Sequence, residues 1–377
     1  MIAQTLKRIA GLKKIALLFK LLYNLNMEKT VLITGITGMV GSHLVDYLIE
    51  NTDWDIYGFI RWNDKLDNLE HHFDRINKKD RIFLIDGDIN DLPSVQNAIQ
   101  ESEPDYVFHL AAQSYPKTSF DAPLETLQTN ILGTANLLES IRDFGEEDVV
   151  VHICASSEIF GRVPKEKLPI DEECSIHPAS PYAISKVAAE EVLINLCELN
   201  KIEWVIAVPH NIIGPRQKYD DPFRNVVSIM INRMLQNKAP IIYGDGEQKR
   251  CFSYIDDCLK CLIPMLDQEN LNKQIINIGP DEEFVSINKV AEICSNITRT
   301  NLSPIYKPDR PREVKHATCS ADKARKLLNY KTSTSLQEGI QKTYEYIKKR
   351  GVKPFDYNIE IEINNELTPT TWTKKEI

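Results

Sequence analysis

The residues richest in chemistry lie in Pro181-Tyr182-Ala183-Ile184-Ser185-Lys186. A tyrosine and a lysine four apart on a helix share one face. An ammonium held near a phenol favours the phenolate and lowers its pKa from about 10 toward a useful range. Tyr182 then has the means to take the proton of an alcohol while a hydride leaves the same carbon, as a general base does. The pair is also a common sight on exposed helix faces, so its meaning depends on its company. Upstream, the apolar run Val149–Cys154 ends in Ala155-Ser156-Ser157-Glu158. Two hydroxyls and a carboxylate at a strand end can orient a substrate oxygen and carry a proton, although loop serines commonly only satisfy backbone.

A departing hydride needs a carrier. Val31 to Leu44 reads VLITGITGMVGSHL, an apolar run followed by Gly35, Gly38 and Gly41 and then by helical apolar spacing. Glycines permit a tight turn and close backbone approach to a pyrophosphate, and a helix N-terminus offers free N–H groups and a favourable dipole. The spacing is G-x-x-G-x-x-G, and on its own it also suits an ordinary strand–turn–helix. Arg61 follows the next strand candidate. An arginine there suits a 2′-phosphate and favours NADP, whereas Asp64, close by, keeps NAD open. Asp86-Gly87-Asp88-Ile89 follows the third strand candidate, where an acid serves either the adenine amino group or as a helix cap. His109-Leu110-Ala111-Ala112 follows the fourth; the small residues let a dinucleotide pass close to backbone, and His109 reads as a satisfied core histidine.

These positions need a frame. Strands are predicted at Val31–Thr34, Ile56–Ile60, Ile82–Ile85, Tyr106–Leu110, Val149–Cys154 and Trp204–Val208, and helices at Gly41–Glu50, Leu92–Gln100, Leu124–Asp143 and Pro181–Leu199. Alternating β-branched runs and helical patterns indicate an α/β fold, a doubly wound parallel sheet of Rossmann type, with ligands at the carboxyl ends of its strands. The chain has 377 residues, 42% hydrophobic and 26% charged, enough for two domains of an ordinary globular protein. A net charge of −9 argues against a nucleic-acid surface. Eight scattered cysteines indicate reduced thiols and a cytoplasmic setting, and Cys258-x-x-Cys261 reads as two packed thiols rather than a metal site. No metal site is read elsewhere. Residues 1–26 carry five basic residues and no acid; the apolar run Ile15–Phe19 is too short to span a bilayer, and the segment reads as an extension before Met27 rather than an integral membrane anchor. Beyond Gly351 the tail includes an alternating stretch, Tyr357–Ile363, that suits a short edge strand, and Trp372.

In order along the chain, TGITGMVG, Asp88-Ile89, HLAA, ASSEIFG, PYAISK, His210-Asn211 with GPRQ, YGDGEQKRCFSYIDD (243–257) and RPREV (310–314) resemble the motifs of one family. The chain resembles the extended short-chain dehydrogenase/reductase superfamily, specifically its nucleotide-sugar epimerases and dehydratases, from about Met27 to Gly351. The resemblance implies a Rossmann-type NAD(P) domain over 27–208, a smaller α/β substrate-binding region over 209–351 partly interleaved with it, and a tail over 352–377. It implies cofactor contacts at Gly35, Gly38, Met39, Val40, Gly41, Asp88, Ile89, Leu110, Ala111 and Ala112. It makes Tyr182 the catalytic base and Lys186 the residue that holds the nicotinamide ribose and tunes Tyr182. Ser156 would bond the sugar oxygen, and Asn211, Arg250 and Arg310 would hold a sugar–diphosphate. It also implies a homodimer that packs helices near 124–143 and 181–199 into a four-helix bundle.

The shared first step in that family oxidises a hexose C4 hydroxyl. An epimerase then lets the 4-keto sugar turn over and takes the hydride back on the other face. A 4,6-dehydratase needs a further acid/base, and Glu158 stands where the family's dehydratases place a glutamate. Ser157, Arg61 and Gln113-Ser114-Tyr115-Pro116-Lys117 resemble the GDP-mannose dehydratase type, whereas the segment from Asn211 to Asp257 looks more like the epimerases. That segment would touch the sugar nucleotide, so the sequence favours a 4-epimerase, with the 4,6-dehydratase as alternative. A non-catalytic dinucleotide-binding scaffold is the reading from another class, and the intact Ser156, Tyr182 and Lys186 argue against it.

Overall fold

The computed structural model describes residues 29–146, 148–221, 225–267, 269–309 and 314–355. Residues 1–26, Arg310, Tyr357–Ile363 and Trp372 lie outside them. The frame is a seven-stranded parallel sheet. Its strands are β1 (Thr30–Thr34), β2 (Asp55–Ile60), β3 (Ile82–Asp86), β4 (Tyr106–His109), β5 (Val150–Cys154), β6 (Glu203–Pro209) and β7 (Gln274–Ile278), in the order β7-β6-β5-β4-β1-β2-β3. Register levels their carboxyl ends: Thr34 lies opposite His109, His109 opposite Ile153, and Cys154 opposite Ala207. The six strands expected from sequence all form. The seventh was not foreseen; it adds to β6 from far downstream.

The strands are apolar on both sides because both faces of the sheet are covered. On one face, Val31 and Ile33 pack with Leu44 and Leu48 of α1 (Met39–Asn51) and with Ile255 and Leu259 of a later helix. On the other, Leu32 and Val151 pack with α2 (Leu92–Ser102), α3 (Gly133–Phe144) and α4 (Pro181–Asn200) through Ile99, Leu138 and Leu193. Each such fully buried side chain contributes about 1.5–3 kcal/mol. A third cluster lies in the second half of the chain. It joins α5 (Val226–Leu235), α7 (Ile287–Thr298) and α8 (Leu336–Arg350), while α6 (Ile255–Leu262) belongs to the first face. Cys258 and Cys261 are buried on α6, packed thiols as expected. Among the described residues no helix is long and apolar enough to cross a membrane.

One expected helix is interrupted. Over Leu124–Asp143 the chain forms a short helix (Pro123–Leu127), a π-helical turn (Gln128–Leu132) and then α3. The wider turn carries Asn130 inward, where its side chain meets backbone and side-chain partners that α-helical spacing does not reveal. Helix α4 starts cleanly because the Ser180 hydroxyl accepts from the Ala183 N–H at 3.1 Å and Pro181 fills the first turn.

Candidate active site

The glycine turn between β1 and α1 leaves no room for side chains. Gly35 has φ of +74°, and a Cβ there would lie 2.8 Å from the Ala111 nitrogen and 2.9 Å from the Leu110 carbonyl carbon. At Gly41 a Cβ would lie 2.5 Å from the Gly35 oxygen, so α1 sits directly on the turn. The Thr34 hydroxyl accepts from the Leu110 and Ala111 N–H groups, both at 3.1 Å, and pins the loop after β4 beside the glycines. Gly38 caps α1 without a side chain, which leaves the first-turn N–H groups of Met39 and Val40 open to an anion. A bare backbone cradle at a helix N-terminus fits a pyrophosphate.

At the rim, Arg61 is exposed but not loose. Its Nε and Nη2 donate to Asp64 Oδ1 at 3.1 and 2.9 Å, and Thr37 of the glycine turn donates to Asp64 Oδ2 at 3.4 Å. Cation and carboxylate therefore stand together at the end of β2. The Asp88 carboxylate accepts from the Asn90 backbone and side-chain amides. Asp91, not Asp88, caps α2, so the helix-cap alternative for Asp88 does not hold. Ile89 is buried against Gly133.

Behind the rim a hydrogen-bonded chain runs from the turn to the helix bearing Tyr182. Thr34 already accepts two backbone N–H groups, so its own proton goes to His109 Nδ1 at 2.8 Å. His109 Nε2–H then donates to the Thr134 hydroxyl at 3.0 Å, and Thr134 donates to the Asn130 carbonyl at 2.7 Å. This tautomer is assigned from the pattern of partners. Burial, and secondarily the charge of Lys186, hold the His109 pKa down at about 3, so the ring is neutral, a satisfied core histidine as the sequence suggested. Asn130 Nδ2 donates to the Ser185 hydroxyl at 2.8 Å, and Ser185 donates to the Tyr182 carbonyl at 2.7 Å. Asn130 also exchanges two bonds with the Gln113 backbone. Asn130 and Thr134 were not singled out from sequence. Their signal was faint: they are two of several small polar residues, Thr126 and Ser140 among them, buried along the same segment.

Tyr182 is half-buried in the first turn of α4, and Lys186, one turn on, is only 6% exposed. Burial lowers the lysine pKa, while Cys154 and Glu190 oppose that. Cys154 ends β5 and is itself pushed up to about 12 by burial. The end of β4, the end of β5 and Lys186 thus form one electrostatic neighbourhood. Ser156 lies two residues beyond β5, half-buried, and accepts from the Glu158 N–H at 3.3 Å; Glu158 is exposed.

Beyond β6, Asn211 adopts φ of +41° and its Nδ2 donates to the Cys251 carbonyl at 2.9 Å, tying the loop after β6 to the segment of Arg250. Arg250 is half-buried, with Nη1 donating to the Lys249 carbonyl at 2.8 Å. Arg216, from the GPRQ stretch, reaches back to α1. It donates to Asp46 Oδ2 at 2.6 Å, while His71 and His72 each bring Nε2 within 2.7 Å of Asp46 Oδ1. Those residue types can ligate metals, but here a guanidinium lies against both Asp46 and His71. This clasp across 170 residues was not foreseen.

The family model described as GDP-mannose 4,6 dehydratase matches residues 32–343. A putative UDP-glucose 4-epimerase of Methanocaldococcus jannaschii is 34% identical over 320 residues, covering 84% of this chain and 98% of the relative. Among solved structures, the UDP-glucose 4-epimerase of Thermotoga maritima with UDP-glucose superposes with a TM-score of 0.77 at 29% identity, over 85% of this chain and 99% of that one. The UDP-glucuronic acid 4-epimerase of Bacillus cereus, in complex with UDP-glucuronic acid and NAD, gives 0.75 at 27% identity, over 85% and 99%. The chain belongs to the nucleotide-sugar epimerase and dehydratase family of the extended short-chain dehydrogenase/reductase superfamily. It is an enzyme that acts on nucleotide sugars.

Proposed function

We propose that the chain is an NAD(P)-dependent nucleotide-sugar 4-epimerase working through a transient 4-keto hexose. The observation that carries this reading is the hydrogen-bonded chain joining the glycine turn to the backbone of Tyr182, which locks a dinucleotide cradle and a Tyr–Lys helix into one frame. Gly35, Gly38, Met39, Val40 and Gly41 would hold the pyrophosphate, Asp88 and Ile89 the adenine, and Leu110 to Ala112 the passing ribose. Arg61 suits a 2′-phosphate and so favours NADP; Asp64, beside it, is the group that would serve NAD. When bound, the dinucleotide supplies the hydride acceptor for oxidation and the donor for its reversal.

The side chains do the rest. Ser156 donates to the C4 oxygen and fixes it. Tyr182, as phenolate, takes the hydroxyl proton and later returns it, which makes it base and then acid. Lys186 stabilises the phenolate and holds the nicotinamide ribose. Epimerisation requires the sugar to turn while its diphosphate stays anchored, and Asn211, Arg250 and Arg310 would supply that anchor, guanidinium groups pairing well with phosphate. The link between Asn211 and Cys251 supports treating these as one substrate-binding unit. We also propose a homodimer, supported by Leu124, Leu132 and Ile184, which lie exposed on the helices expected to pair; sedentation equilibrium of Leu124→Glu protein should show monomer.

The 4,6-dehydratase is the second reading, favoured by the exposed carboxylate of Glu158 two residues from Ser156. Incubating the protein with UDP- and GDP-hexoses and following products by mass spectrometry separates the two. Isomerisation at constant mass supports the epimerase, and loss of a water mass overturns it.

A further inference from the structure

Lys186 has a second buried neighbour that the mechanism above does not use. Glu190 lies four residues on along α4, and it is 5% exposed. Residues four apart face the same way, so Glu190 shares the face of α4 that carries Lys186. Its Oε1 is buried without a hydrogen-bond partner, so no cap or backbone bond accounts for its being there. An unpaired buried carboxylate is costly to keep. We propose that Glu190 is a positioning residue whose carboxylate keeps Lys186 charged, so that the ammonium remains available to the Tyr182 phenolate. This rests on the catalytic reading of Tyr182 and Lys186.

The surroundings favour this assignment. The groups acting on Lys186 are Cys154 from β5, His109 from β4 and Glu190 from its own helix. Burial keeps Cys154 a neutral thiol and His109 a neutral ring, so neither offers a formal countercharge. Glu190 offers one. Burial raises its own pKa to about 7, against the pull of Lys186 and with a further push from Glu191. Glu190 thus titrates within the working range. Without the carboxylate, burial acts on Lys186 with only Cys154 opposing it, and the ammonium gives up its proton at lower pH.

Glu190→Gln keeps shape and removes charge. Lysine-selective isotope NMR of the protein without dinucleotide, with Lys186 assigned by its absence in Lys186→Arg, should show Lys186 deprotonating about one pH unit lower in the variant. The alkaline limb of the rate profile should move down by the same amount. Should Glu190→Gln be insoluble, Glu190→Asp, with its carboxylate drawn back by one methylene, should move both in the same sense by less. An unmoved Lys186 titration in the soluble variant overturns the proposal. If the Lys186 titration moves but Tyr182→Phe keeps full turnover, Glu190 is coupled to Lys186 as inferred and the catalytic reading fails instead.

Discussion

The side-chain amide of Asn130 donates a 2.8 Å hydrogen bond to the hydroxyl of Ser185, linking a π-helical turn to the helix that bears Tyr182 and Lys186. Both residues are fully buried. Asn130→Ala strands the Gln113 N–H and carbonyl and removes the donor to the Ser185 hydroxyl, which keeps its bond to the Tyr182 carbonyl. Leaving such groups unpaired costs about 1–3 kcal/mol each before relaxation. A melting temperature lowered by several degrees is expected, with turnover reduced about tenfold to a hundredfold because α4 loses its register against the cradle. Wild-type turnover in a folded Asn130→Ala protein would remove the network from the functional account.

Tyr182→Phe tests the catalyst against the scaffold. Loss of the proton-transfer group should lower turnover by about 10²–10⁴. Dinucleotide binding, read by fluorescence titration, should stay at the wild-type level, because the cradle is made by β1, α1 and the loop after β4. A scaffold would show no change in any reaction on substitution.

Gly41→Ala places a methyl 2.5 Å from the Gly35 oxygen, a backbone atom that cannot step aside alone. Helix α1 must shift outward, at a cost of about 1–3 kcal/mol. Dinucleotide affinity should fall by more than the stability loss accounts for. Calorimetric titration and thermal melting of the same preparation separate the two effects, and unaltered affinity would argue that the pyrophosphate lies elsewhere.

The Asp46 clasp makes a pH prediction. Burial works against its charge, but hydrogen bonds from His72 and His71 and the Arg216 guanidinium hold the Asp46 carboxyl below the usual carboxylate range. A carboxyl depressed on folding stabilises the fold above its unfolded pKa of about 4 and loses that contribution as pH falls toward the folded value. Asp46→Asn should therefore cost about 1–3 kcal/mol near neutrality. Denaturant melts at stepped pH should show the gap from wild type narrowing below about pH 4. A gap independent of pH would mean that Asp46 acts by shape alone.

The parts legible in the sequence were those written in local pattern. Six strands announced themselves as short β-branched runs, and the glycine spacing marked a turn that the backbone bears out at Gly35. His109 was legible as core because it interrupts an apolar run without polar neighbours. Asn130 was not legible: its π-helical turn departs from the 3.6-residue period by which helices are read, so the pattern does not mark it as inward. Nor was the Asp46–Arg216 clasp, since nothing local marks a partner 170 positions away. Strand β7, QIINI, was hidden by Gln274 and Asn277. Asn277 is tolerated inside because Glu172 accepts its backbone N–H at 2.7 Å and the Ile170 carbonyl accepts its side-chain amide at 3.2 Å.

The addition of β7 to β6 has one more consequence. Residues 210–273 leave the sheet at its carboxyl edge, after Pro209, and rejoin it at the opposite edge, where Gln274 pairs with Val205. Asn211 and Arg250 therefore ride on a span moored at both ends to adjacent strands of the cradle's own sheet. Such a span is grafted, exchanged or lost only as an insertion. Cutting the chain after β6 would strip β7 from the sheet, leave β6 as a raw edge and open the buried row beneath it, so the glycine turn and the segment of Asn211 and Arg250 cannot be parted by a single cut.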